Sequence, residues 1–150
     1  MMRLGHELQW VARVLLSVLC GIQGIATVAI DLNRTHATNP QWVGHARFHV
    51  VWQTLTMALL AVVELGLLWG GWIGAEQGFY AALVLAGLSP MAFLLSSATR
   101  TMFGGTLFDA NGIRPLPVRM AGRVVQVDMN LVAVVGALVT LGVIVGMYRW

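Results

Sequence analysis

Residues 45–69 read HARFHVVWQTLTMALLAVVELGLLW. From Val50 to Trp69 the run carries a single charge, Glu64. About 20 such residues, rising 1.5 Å each, cover a hydrocarbon core of about 30 Å. Three more segments have the same character: about Val14 to Ile30, Phe79 to Leu95 and Leu131 to Met147. A soluble bundle would carry polar residues along one whole face of every helix, and the first and fourth segments carry almost none. The sequence therefore predicts an all-α, integral membrane four-helix bundle with its two long loops on the same side. Residues 1–150 form a single transmembrane domain, with helices over about 14–30, 46–69, 79–99 and 129–148.

Composition agrees. Hydrophobic residues make up 58% and charged residues 10%, against roughly 45–50% and about 25% in soluble domains. The first segment follows Arg3 and Arg13, but it is too long for a signal peptide and has no small-residue cleavage site before Asp31. It reads as a retained helix. The single cysteine, Cys20, excludes an internal disulfide and a thiolate metal cage, and its mid-helix position predicts a packing role. All nine basic residues are arginine and the net charge of +3 is spread over the loops, so nucleic-acid binding has no basis. Arg34, Arg47, Arg100, Arg114, Arg119 and Arg123 fall in or beside the first and third loops, and Arg3, Arg13 and Arg149 on the opposite side. The positive-inside tendency places the long loops in the cytoplasm, as expected for a bacterial inner membrane.

The short glycine-rich connection GGWIGAEQG makes helices two and three antiparallel neighbours. The third loop is about 30 residues, a length usually reserved for function or disorder. It carries turn signals at Asp109–Gly112 and at Pro115 and Pro117. Its Phe103, Leu107, Phe108 and Ile113, mixed with arginines, predict a lid over the bundle mouth. Gly66 with Gly70, and Gly142 with Gly146, are spaced for close helix approach in lipid. Trp10, Trp42, Trp69, Trp72, Tyr148 and Trp150 stand at segment ends, where an interfacial role is expected.

Polar residues inside the spans are the functional signal, because lipid cannot satisfy them. His45, His49, Gln53 and Thr56 recur at helical spacing, and Glu64 lies within about 20° of Gln53 at 100° per residue. Gln23, Thr27 and Asp31 form a parallel stripe on helix one; Ser89, Ser96 and Arg100 stand on helix three; Gln126, Asp128 and Asn130 open helix four. The expectation is that these stripes turn inward and meet in a polar pocket open toward the long loops. Much of this is also explained structurally: Ser and Thr bond to their own helix, and Gln23 and Gln53 can clamp helices together. His36, His45 and His49 are three of the four histidines, set within 14 residues of one another. Neutral imidazole binds iron, zinc and copper, so His49, His45 and His36 are candidate ligands of a divalent transition metal.

The run Ala46-Arg47-Phe48-His49, opening the second of four membrane helices, resembles the styrene oxide isomerases. That resemblance implies His49 as axial ligand of a haem b, whose iron acts as Lewis acid on an epoxide oxygen, in a homo-oligomer (a trimer in that family). The long third loop and the acidic Asp128 at the start of helix four agree with it. The family's third helix carries Asp, Asn and Tyr against substrate, whereas LVLAGLSPMAFLLSS supplies only serines here. The segment around Thr35-His36, Asn39-Pro40 and HARFH also looks like a second family of small bacterial four-helix membrane proteins, from which no activity follows. The expected function is a haem- or metal-binding membrane protein, an isomerase of a lipophilic small molecule from the membrane lipids. His45, Asp31, Gln53, Glu64 and Arg47 would shape the catalytic pocket. The alternatives are a cofactor-free acid–base isomerase and a non-catalytic membrane subunit or transporter.

Overall fold

The computed structural model describes residues 2–108 and 114–150. Four helices, α1 (Met2–Asp31), α2 (Gly44–Trp69), α3 (Ala75–Thr99) and α4 (Met129–Tyr148), are each long and apolar enough to cross a membrane. A four-residue 3-10 turn, Arg100–Phe103, extends α3. Helix α1 packs on α2 and α4, and α3 packs on both α2 and α4, closing an antiparallel ring. Helix α1 begins well before its apolar segment does, because Leu4 and Leu8 extend the i, i+4 series of the buried Ala12 and Leu16 back through a more polar first stretch.

The core sits at the short-loop end. Ala12, Leu16 and Cys20 of α1, Leu68 of α2, Phe79, Ala82 and Ala86 of α3, and Leu141, Ile144 and Tyr148 of α4 are buried together. Tyr148 stacks on Phe79 with ring centroids 3.6 Å apart and planes 6° from parallel, so it is a core ring and not an interfacial one. A side chain at Gly78 would strike the Leu67 carbonyl, so glycine is what lets α3 turn in against α2. Gly66 and Gly70 make room for the Trp72 indole instead of a neighbouring helix, while Gly142 and Gly146 face open space. Arg13 reaches the Leu68 carbonyl and lies over the Trp69 ring, 4.5 Å from its centroid, tying α1 to the end of α2.

Pro90 stands inside α3 and cannot donate to the carbonyl of Ala86 four residues back. The amide of Gln23 on α1 donates to that carbonyl instead, at 3.1 Å. This is the helix clamp that the sequence allowed for Gln23.

The third connection, expected as a lid over the bundle mouth, has regular structure not expected from the sequence. It contains an antiparallel hairpin, β1 (Leu116–Met120) and β2 (Arg123–Val127), registered Leu116↔Val127 through Met120↔Arg123. Its two-residue turn has positive φ at both Ala121 (47°) and Gly122 (77°), the handedness that matches twisted strands. The turn expected at Asp109–Gly112, and Ile113 of the expected lid, lie outside the described residues. Asp128 closes the loop by capping α4, its carboxylate accepting from the Leu131 amide at 2.8 Å.

Candidate functional site

Two polar centres lie at the long-loop end, and they do not coincide. The first is the pair His45–His49. The i, i+4 spacing brings their Nε2 atoms to 3.1 Å, with the rings edge to face and centroids 4.5 Å apart. Both rings are exposed on the outer surface of α2. Phe48 and Trp52, also exposed, flank His49 with centroids 6.1 and 5.7 Å away.

The expected inward stripe fails here for a geometric reason. Four residues turn a helix by about 400°, so each i, i+4 step advances about 40° around the axis. Starting from the buried Glu64 and moving back through Gln53, His49 and His45, the stripe rotates out of the bundle. Glu64 is 2% exposed and Thr54 fully buried, whereas Gln53 and Thr56 are exposed. Gln53 makes no hydrogen bond among the described residues, and Thr56 bonds back to the Trp52 carbonyl. Glu64 instead points across the α1–α2 contact to the Cys20 thiol. It stands apart from the histidines.

His36 is held elsewhere too. Asn33 Oδ1 accepts from the Thr35 amide at 2.8 Å and from the Thr35 hydroxyl at 2.6 Å. The Thr35 oxygen is thereby left to accept from His36 Nδ1, 2.7 Å away. Asn39, fully buried, fixes the turn from inside through the Thr35 carbonyl and the Gln41 amide. His36 Nδ1 then sits 3.8 Å from Asp31 Oδ1, with Trp42 edge-on to its ring. Among the described residues no group of three or more His, Cys, Asp or Glu side chains gathers as a metal cage. The expected convergence of His36 with His45 and His49 is therefore corrected to a pair plus a separate histidine. The cause is the Asn39-centred turn, which holds His36 over α1.

The second centre is a cavity of about 320 Å³ between α1 and α4, backed by Met57, Ser89 and Pro90. The helix-one stripe of Gln23, Thr27 and Asp31 lines it, with Asn130 and Thr140 on α4. Asn130 was legible only as a polar residue opening helix four; its place in one cavity with Asp31 depends on how α1 and α4 pack. His45, His49, Gln53, Glu64 and Arg47 are not among the lining residues. Arg47 is half-buried beside the pair, with its Nε buried and without a hydrogen-bond partner. Comparison with protein-family models, with curated proteins and with solved structures gives no match to this chain.

Proposed function

We propose that this four-helix membrane protein binds a divalent transition metal ion through His45 and His49, at the long-loop end of α2. One observation carries the reading: the 3.1 Å separation of the two Nε2 atoms. Metal–imidazole bonds are about 2.1 Å, so two nitrogens bound to one ion are held about 3–3.4 Å apart. A helix supplies that spacing without backbone change, and the exposed face leaves the ion reachable. Remaining coordination positions fall to water or, in the homo-oligomer that the resemblance implies, to the same pair on a second copy. A metal so held acts as a Lewis acid on an oxygen ligand. His36, engaged with Thr35 and Asp31, takes no part.

Haem b fits the pair less well. A porphyrin centred over His49 Nε2 would meet the His45 ring, whose Nε2 is 3.1 Å away, whereas a bare ion would need only that both ring nitrogens turn toward one common point. Elemental analysis and an absorbance spectrum of the purified protein separate the two cases. A divalent metal lost in both His45→Ala and His49→Ala, with no Soret band, supports the chelate. A Soret band lost in His49→Ala and retained in His45→Ala supports haem and overturns the chelate.

A second reading rests on the cavity: acid–base isomerisation of a lipophilic small molecule, with Asp31 as the proton-transfer group. The specific support is that Asp31 is the only ionisable residue among the described residues lining that space, while the His45–His49 pair lies outside it.

A further inference from the structure

The polar lining of the α1–α4 cavity is mostly committed to the helices themselves. Gln23 serves the Ala86 carbonyl, Thr27 bonds to the Gln23 carbonyl at 2.6 Å, and Thr140 bonds to the Gly136 carbonyl at 2.8 Å. The Thr27 and Thr140 hydroxyl protons are spent there, while Gln23 keeps one amide N–H and its Oε1. The only charged group left to a ligand among the described lining residues is the Asp31 carboxylate, beside the Asn130 and Ser89 side chains, which make no hydrogen bond among the described residues.

Asp31 itself is poorly matched. Its one ion-pair partner among the described residues is His36, at 3.8 Å and already engaged with Thr35. The buried Thr54 hydroxyl is near it without reaching hydrogen-bond geometry. No described arginine bonds to it, although the long-loop end carries most of the chain's arginines. The rest of the cavity wall is hydrocarbon: Leu19, Ile22, Ile30, Met57 and Val134. Ile22 and Ile30 line the space and are themselves exposed, so it is an open cleft between α1 and α4 within their membrane-spanning lengths. Its volume falls at the lower end of the range for small-molecule sites, about 300–1,000 Å³.

An apolar chamber reached from the bilayer, ending in one under-compensated carboxylate, selects for charge and hydrophobicity together. We propose that the cavity binds a lipophilic amine, its protonated nitrogen on Asp31 and its hydrocarbon part along α1 and α4. The proposal deepens the second reading above and is independent of the histidine pair. Neutral lipophiles gain only the apolar contact, and anionic ones meet a like charge.

The test uses the purified full chain in a non-ionic detergent and three probes of equal chain length: decylamine, decanol and decanoate. Equilibrium dialysis of radiolabelled probe is compared between wild type, Asp31→Asn and Ala137→Trp, the last filling the cavity. The expected result is decylamine binding about tenfold weaker to Asp31→Asn, the loss of one ion pair worth about 1.4 kcal/mol. Decanol should bind wild type and Asp31→Asn equally, which also reports that the variant is folded. Equal decylamine binding to wild type and Asp31→Asn, with loss in Ala137→Trp, would overturn the amine preference and leave the cavity reading standing. Tighter decanoate than decylamine binding overturns the preference as well. Binding of all three probes unchanged by Ala137→Trp would reject the cavity as a site altogether.

Discussion

At the level of single residues, the bundle is organised by groups that repair what others break. Pro90 removes one α3 hydrogen bond, and Gln23 restores a partner to the orphaned Ala86 carbonyl from the neighbouring helix. Leaving a buried acceptor unpaired costs about 1–3 kcal/mol. Gln23→Leu should therefore lower stability by that amount in a thermal or denaturant unfolding assay. In a Pro90→Ala background the backbone amide regained at that position can donate to the Ala86 carbonyl, and the same Gln23→Leu change should cost much less. Additive effects would show that Gln23 is not serving that carbonyl. At this scale too, the side chain beside His49 is His45, with the two Nε2 atoms 3.1 Å apart.

The elements show where reading a sequence stops. The four spans were legible because each is an apolar run of bilayer length, a property that needs no tertiary information. The i, i+4 relation of His45 and His49 was legible for the same reason. Which way the pair points was not. It depends on which face of α2 the other helices cover, and the 40° advance per step carries the stripe from Glu64 outward. The hairpin went unread because Pro117 lowers the strand signal of LPVRM and its turn has alanine where asparagine or glycine is usual. That alanine is a liability. A non-glycine residue at φ 47° carries about 1 kcal/mol of strain. Ala121→Gly or Ala121→Asn should slow amide hydrogen exchange in β1 and β2. Faster exchange in either variant would mean that the turn is not the one described.

Taken as a whole, the chain places its packed core and its two candidate sites toward opposite ends of the bundle. The packed core, the Phe79–Tyr148 stack and the Arg13 contacts lie toward the termini and the short connection. The histidine pair, the cavity and the hairpin lie toward the two long connections. Two spans, α2 and α3, separate residues 32–43 from residues 104–108 and 114–128, so these lie on one side. Cysteines introduced at Thr38 and Val124 should accordingly react with an impermeant maleimide from the same side of sealed vesicles, and one at Ala75 from the other. Native Cys20, fully buried, should stay unlabelled. Labelling of Thr38→Cys and Val124→Cys from opposite sides would break the four-span arrangement. The excess of arginine on the long-loop side is the reason that side is expected from the sequence to face the cytoplasm.

The paired imidazoles are the claim on which the functional reading rests, and a metal titration reaches it most directly. Purified protein in non-ionic detergent, stripped with chelator, is titrated with Co²⁺ and Zn²⁺ by absorbance and calorimetry. The chelate predicts one ion per pair, or one per two pairs where a second copy completes the coordination, with affinity falling about tenfold or more in His45→Ala and in His49→Ala alike, each losing one bond of the ion. His36→Ala should match wild type. Equal affinity in wild type and both pair variants, or a loss confined to His36→Ala, would contradict it.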